Sequence, residues 1–189
     1  YKKRKFFVLF PPGNIGHNKH NIDRCFLFIT SPVKRWILMR LVADGMLGGL
    51  ARWLRLIGYD TLYFNKSGKD EIVRVACREN RLILTRNSGF VNANPGISVL
   101  IESESVEKQL AEAKRKLALN LDTRSFFKRC SICNCLLEDK KKEEVENLVP
   151  EYVFKNKDKF RRCPECGRVY WDGDHCMEIR EVLKNISKK

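Results

Sequence analysis

No apolar run in the sequence approaches the ~20 residues a membrane-spanning helix needs, so no membrane span is expected. A secretory leader is not expected either. The apolar stretch Phe6 to Phe10 follows a basic cluster but falls short of the roughly 7–15 residues of a signal core. Methionine is scarce: there are 3 in 189 residues, and the first is Met39, where regular patterning begins. The native start is therefore expected at Met39, with residues 1–38 an extension without a fold. Acidic residues are nearly missing from that extension, which carries 8 Lys+Arg against 1 acid, leaving 29 against 22 in the rest. No internal repeat is visible.

Positive charge and cysteine are what the chain has in excess. The formal net charge is +14, from 37 Lys+Arg against 23 Asp+Glu. Such a surplus favours a polyanionic partner, either nucleic acid or an anionic membrane surface. Hydrophobic residues make up 43%, enough for a real core. Of 8 cysteines, four form the pairs Cys130-Ser-Ile-Cys133 and Cys163-Pro-Glu-Cys166. Two C-x-x-C pairs without a secretory signal read as a metal site, and imply a reducing cytoplasm. Each tight turn brings two sulfurs together, and four thiolates give the closed tetrahedral shell of structural Zn²⁺. Gly167, directly after the second pair, suits the left-handed turn of such a knuckle. Cys135, His175 and Cys176 are the alternative ligands. The 29 residues between the pairs exceed the common spacing, so an insertion is expected there, in the charged run Glu138 to Glu144.

Apolar periods alternate from Met39 onward. Ile37 to Ala43 reads as a buried strand; Leu47, Leu50, Ala51, Leu54 and Ile57 then recur at helical spacing, closed by Gly58. Strands follow at 61–64, 81–85 and 97–101. Helices are marked by Ile72, Val73 and Ala76, by Val106, Leu110, Ala113 and Leu117, and over about 176–187. The alternation predicts an α/β domain over 39–123 with a mostly parallel sheet and helices on its faces. A zinc-ribbon module with a C-terminal helix is expected over 124–189.

Open parallel sheets bind ligands beyond the carboxyl ends of their strands. Asp44 follows the first strand, Asp70 and Glu71 open the helix after the second, and Asn87 follows the third. Carboxylates gathered at one edge repel one another unless a cation lies between them, and hard oxygen ligands select Mg²⁺ or Mn²⁺. Such an ion generates a nucleophilic hydroxide and stabilises a phosphodiester transition state. The competing readings are structural. Asp70 and Asn87 are also suited to capping helices, and Asp44 to a salt bridge with Arg52 or Arg86. Arg52, Arg55 and Arg86 are candidate phosphate contacts near that edge.

The segment Asp44-Gly-Met-Leu-Gly-Gly-Leu-Ala-Arg-Trp-Leu-Arg-Leu-Ile-Gly-Tyr-Asp60 resembles the opening of the mut-seven C-terminal RNase domain family, a branch of the PIN-like nucleases. Asp70-Glu-Ile72, Leu82-Ile-Leu-Thr-Arg86, Arg129-Cys-Ser-Ile-Cys-Asn134, Arg162 to Trp171 and Gly173-Asp-His175 extend it over about 39–183. The resemblance implies a PIN-like α/β/α domain fused to a zinc ribbon, a metal-dependent ribonuclease with Asp44 and Asp70 in acidic active-site positions. A third acid would follow Leu-Thr-Arg; Asn87 stands there instead. Tyr170, Trp171 and His175 are the candidates for stacking on unpaired bases, or alternatively for packing the ribbon against the domain. The resulting expectation is RNA hydrolysis at an Asp-rich Mg²⁺/Mn²⁺ site. Its alternative is a non-catalytic RNA-binding or regulatory module with a degenerate acidic site.

Overall fold

The computed structural model describes residues 39–65, 68–121 and 126–187. The extension expected over 1–38 lies outside them. Strands β1 (Arg40–Asp44), β2 (Asp60–Phe64), β3 (Leu82–Thr85) and β4 (Ser98–Leu100) form a sheet in the order β2-β1-β3-β4. Each neighbouring pair is parallel. Parallel neighbours need crossovers, and α1 (Gly48–Leu56), α2 (Lys69–Glu79) and α3 (Ser88–Ala93) supply them. Helix α4 (Val106–Leu117) follows β4.

Side chains alternate faces along a strand, and that alternation builds the layers. Leu41, Ala43 and Leu84 enter a core shared with Leu50 and Leu54 of α1 and Leu110 and Ala113 of α4. Val42 and Ile83 point the other way, toward Ile72 and Ala76 of α2 and Phe90 of α3. The domain is therefore a three-layer α/β/α unit, as the sequence predicts. Its helices approach closely where α1 begins: a Cβ on Gly49 would lie 2.6 Å from Val106 Cγ2.

After residue 126 the chain builds a second, antiparallel sheet in the order β5-β6-β7. Its strands are β5 (Glu138–Lys140), β6 (Phe160–Arg162) and β7 (Val169–Trp171), with α5 (Glu151–Asn156) inserted between β5 and β6. The charged run becomes β5 and a 3-10 turn over Lys142–Val145. The last helix, α6 (Asp174–Ser187), does not stay with this sheet. Its Ile179, Leu183 and Ile186 join the core of the first domain, and Lys114 Nζ of α4 donates to Ile186 O at 2.8 Å.

Candidate functional site

The four strands end at one edge, and the chain changes direction of growth there. β1 is followed outward by β2, whereas β2 crosses back to β3 on the other side of β1. The crevice between β1 and β3 is thus the switch point at which open α/β sheets bind ligands. Asp44 ends β1 at that place and is half-buried. One carboxylate oxygen accepts from Met46 N at 3.0 Å, capping the 3-10 turn Gly45–Leu47. The other accepts from the Thr85 hydroxyl at the end of β3. Thr85 Oγ1 in turn accepts from Asn87 N at 3.1 Å. The two central strands are thereby joined through the carboxylate, and neither oxygen of Asp44 is fully used, since an ionised carboxylate offers about four acceptor sites.

The other expected edge residues are less gathered. Asp70 and Glu71 lie exposed in the first turn of α2. The cap of that helix is Gly68, without a side-chain bond, so Asp70 does not serve as its cap. Asn87 is exposed and its Oδ1 accepts from Phe90 N at 2.9 Å, capping α3. Among the described residues, the group of three or more Cys, His, Asp or Glu with ligand atoms within 4.8 Å of one another is the cysteine set, not these acids. Arg52 is exposed and Arg86 half-buried. The loop after β4 is held by Glu112 of α4, which accepts from Glu102 N and Ser103 N at 3.1 and 2.9 Å and pairs with Lys116 at 2.6 Å. Burial opposes the charge of Glu112, but Lys116 and the two N–H groups prevail and hold its carboxyl down at about 2. Lys116 also pairs with Glu102 at 3.2 Å.

Cys130, Cys133, Cys163 and Cys166 converge with all four Sγ atoms within 4.8 Å of one another. They are positioned to bind one metal ion and are compatible with zinc. The two knuckles share one construction. Asn134 and Gly167 follow the second cysteine with φ of 68° and 71°, and their N–H groups donate to Cys130 O and Cys163 O, each at 3.0 Å. The arginine before each pair closes the turn: Arg129 donates to Asn134 O at 2.8 Å, and Arg162 to Gly167 O at 3.3 Å. Cys135 stands where Arg168 stands in the second knuckle, giving its carbonyl to Cys130 N at 2.8 Å. Its sulfur points at Cys133 O, and it is not a member of the cluster. Burial raises the Cys130 thiol, but bonds from Cys133 N and the Tyr170 hydroxyl outweigh it and bring it to about 6. Burial and the neighbouring Cys166 push the Cys133 thiol the other way, up to about 12, and burial raises Cys163.

The first knuckle is docked on the opposite edge of the sheet from Asp44. Asn134, 7% exposed, accepts from Thr61 N at 3.0 Å and donates to Asp60 Oδ1 at 2.8 Å. Asp60 opens β2 opposite Arg40, the first residue of β1, whereas Asp44 is the last. At about 3.3 Å per residue the cysteine site and the acidic edge are separated by roughly 13 Å of strand. Asp60 is also bound by Arg81 at 2.7 Å and lies near Arg40 and Arg129. Burial raises its carboxyl, but Arg81 and Asn134 lower it further, to a net value below the ordinary one. Arg55, expected among the phosphate contacts, is instead 6% exposed. Its guanidinium donates to Thr61 O at 2.8 Å, Ser131 O at 3.0 Å and Ile132 O at 2.7 Å.

Tyr170 is likewise turned inward: its hydroxyl lies 3.1 Å from Cys130 Sγ and 3.4 Å from Ser131 Oγ. Burial and the Cys130 sulfur push its pKa up to about 12. Trp171 lines a groove of about 920 Å³ between the second sheet, Phe127 and α6. Arg161 and Arg180 on that groove are paired with Asp139 and Asp172, and Arg180 lies 5.6 Å from the centre of the Phe127 ring. The side chain of His175 lies outside the described residues.

The model of the Mut7-C RNAse domain family matches residues 39–183, taking in both the switch-point edge and the cysteine cluster. The chain belongs to the Mut7-C RNAse domain family. The human protein "Exonuclease mut-7 homolog" is 34% identical over 103 residues, covering 51% of this chain and 12% of that protein. The chain therefore spans about an eighth of that relative's length. No solved structure matches it.

Within this Mut7-C domain, three functional features escape the sequence reading. Thr85 is visible only as the end of an apolar strand, yet it bridges Asp44 to Asn87 N. Arg55 carries a signal that was available: it lies four residues after Ala51, beside the buried stripe of α1, whereas Arg52 does not. Asn134 takes the left-handed position that glycine takes in the second knuckle, a role asparagine tolerates.

Proposed function

We propose that the chain is a ribonuclease that hydrolyses RNA phosphodiester bonds with a Mg²⁺ or Mn²⁺ ion held at the carboxyl edge of its parallel sheet. The observation that carries this reading is the place of Asp44, a half-buried carboxylate at the β1/β3 switch point with acceptor sites left over. Membership of an RNase family supports the same reading. Asp44 would hold the ion with Asp70, Glu71 and the Asn87 carbonyl as the further oxygen donors. When bound, the ion would supply an activated water and charge stabilisation for the developing phosphorane. The chain's own part is orientation: Thr85 and Met46 N fix the Asp44 carboxylate, and Glu112 fixes the loop beside it. Arg86 and Arg52 would contact the backbone phosphates.

In this reading the cysteine cluster holds Zn²⁺ as a closed structural shell with no position for water. Trp171 offers an aromatic face for an unpaired base, in a groove remote from the cutting edge, so a bound strand would cross the domain. The same reading places the chain in a reducing cytoplasm, where thiolates stay available to a metal.

A second reading has its own support. Where an acid is expected after Leu-Thr-Arg stands Asn87, uncharged and with one of the two acceptor positions of its Oδ1 taken by Phe90 N. A site with fewer carboxylates suits an RNA-binding module without cleavage. Purified protein incubated with mixed single- and double-stranded RNA, with Mn²⁺ or with excess chelator, separates the two. Cleavage that needs the ion supports the nuclease; salt-sensitive binding with no cleavage at any Mn²⁺ concentration supports the module.

A further inference from the structure

We propose that Arg55 is a positioning residue and counter-cation of the metal-loaded tetrathiolate, and that through it metal binding and the α/β domain stabilise each other. The proposal rests on the reading of the cysteine cluster as a zinc site. Four thiolates around one Zn²⁺ carry a net charge of −2, which must be compensated where the site is buried, and Cys130 and Cys163 are fully buried. Arg55 is the cation that the α/β domain brings there. It sits on α1 with its guanidinium against Ser131 O and Ile132 O, the two carbonyls between the ligands Cys130 and Cys133.

Two further observations point the same way. A guanidinium 6% exposed needs an anionic partner as well as hydrogen bonds, yet the three bonds Arg55 makes go to neutral carbonyls. The nearby carboxylate of Asp60 is already engaged by Arg81 at 2.7 Å and by Asn134 at 2.8 Å. The tetrathiolate is the anion left to answer Arg55. Arg129 and Arg162 close the knuckles from within the cysteine module. Arg55 differs in also binding Thr61 O of β2, so it ties the metal shell to an edge strand of the parallel sheet. Linkage then works both ways: the metal stabilises the β2 edge, and the folded α1 tightens the metal.

The test is metal affinity, with no activity involved. Zn²⁺ and Co²⁺ affinities are measured by chelator competition for the full chain, Arg55→Met, Arg55→Lys and, as a remote charge control, the exposed Arg74→Met. Wild-type protein showing the tetrahedral cobalt–thiolate spectrum establishes the underlying metal site; its absence refutes that reading and the proposal with it. Given that spectrum, Arg55→Met should keep it at saturating Co²⁺ but lose about 10- to 100-fold in affinity for either ion. Arg55→Lys should recover much of the loss, because it restores charge without the fork of donors, and Arg74→Met should match wild type. In hydrogen exchange, chelation should speed exchange at Thr61 and its β2 neighbours in wild type. Unchanged affinity in Arg55→Met overturns the proposal while leaving the zinc site standing. So does failure of Arg55→Met to form the spectrum at saturating cobalt, which would make Arg55 a folding residue of the interface.

Discussion

In the proposed nuclease reading, single residues decide how tightly the acidic edge would hold a cation. Asn87 caps α3 through its Oδ1, and aspartate is an equally good cap. Asn87→Asp should therefore fold normally, and it adds one negative charge beside Asp44 and Thr85. It is expected to tighten Mn²⁺ binding and raise cleavage at fixed Mn²⁺, with a small loss of stability in the absence of metal. Mn²⁺ titrations of cleavage that overlay for the two proteins would assign residue 87 to capping alone. Glu112 makes a different kind of statement, about acid stability. Its folded-state carboxyl is held at about 2, below its ordinary 4.5. Its contribution is thus complete above about pH 4.5 and fades as pH falls toward 2. Glu112→Gln should cost on the order of 3 kcal/mol at pH 7 by the size of that shift, and should flatten the acid limb of a denaturant-midpoint profile. An unchanged profile would mean that the loop after β4 stands without it.

At the scale of elements, β1 to β4, the helices α1, α2, α4 and α6, and the knuckles are legible in the sequence because each rests on a local pattern: alternation, a helical period, or C-x-x-C; β5 to β7 and α5 carry no such pattern and emerge only in the structure. Gly167 could be read directly from its place after Cys166. What local pattern could not show was which edge of the sheet each knuckle meets. That depends on strand order, and strand order brings Asn134 to Asp60 and Thr61 at the amino edge, away from Asp44. Arg52, Arg55 and Arg86 look alike as cations by residue type, and it is helical position beside the stripe of Ala51 that separates buried Arg55 from exposed Arg52. The role of α6 was hidden, since Ile179, Leu183 and Ile186 mark a buried face without saying whose core it fills. Two predictions belong here. Cys163→Ser opens the tetrathiolate, and structural zinc contributes roughly 10–16 kcal/mol in small modules. The variant should lose its zinc and unfold β5 to β7; full zinc retention with unchanged melting would contradict the cluster. Trp171→Ala on β7 should weaken single-stranded RNA binding by about 1–3 kcal/mol if a base stacks there, with zinc content unchanged. Equal RNA affinity would leave Trp171 as packing for the groove.

Taken whole, the proposed reading assigns two metal chemistries to opposite edges of one sheet. The cysteine shell at the amino edge would stay closed, with Cys130 and Cys163 buried and arginines bound to its turns. The carboxyl edge would serve exchange, with a half-buried carboxylate oriented by Thr85 and with Asp70 and Glu71 open to solvent. In that reading the basic surplus would supply attraction for RNA, and the cutting would belong to the crevice between β1 and β3. The most direct test is a Mn²⁺ titration of RNA cleavage by wild type and Asp44→Asn, with zinc content and melting measured on the same preparations. Cleavage that rises with Mn²⁺ in wild type and is lost in the variant, at equal zinc content and melting temperature, is the predicted result. Equal cleavage by the two proteins, or cleavage that persists in excess chelator, would contradict the account.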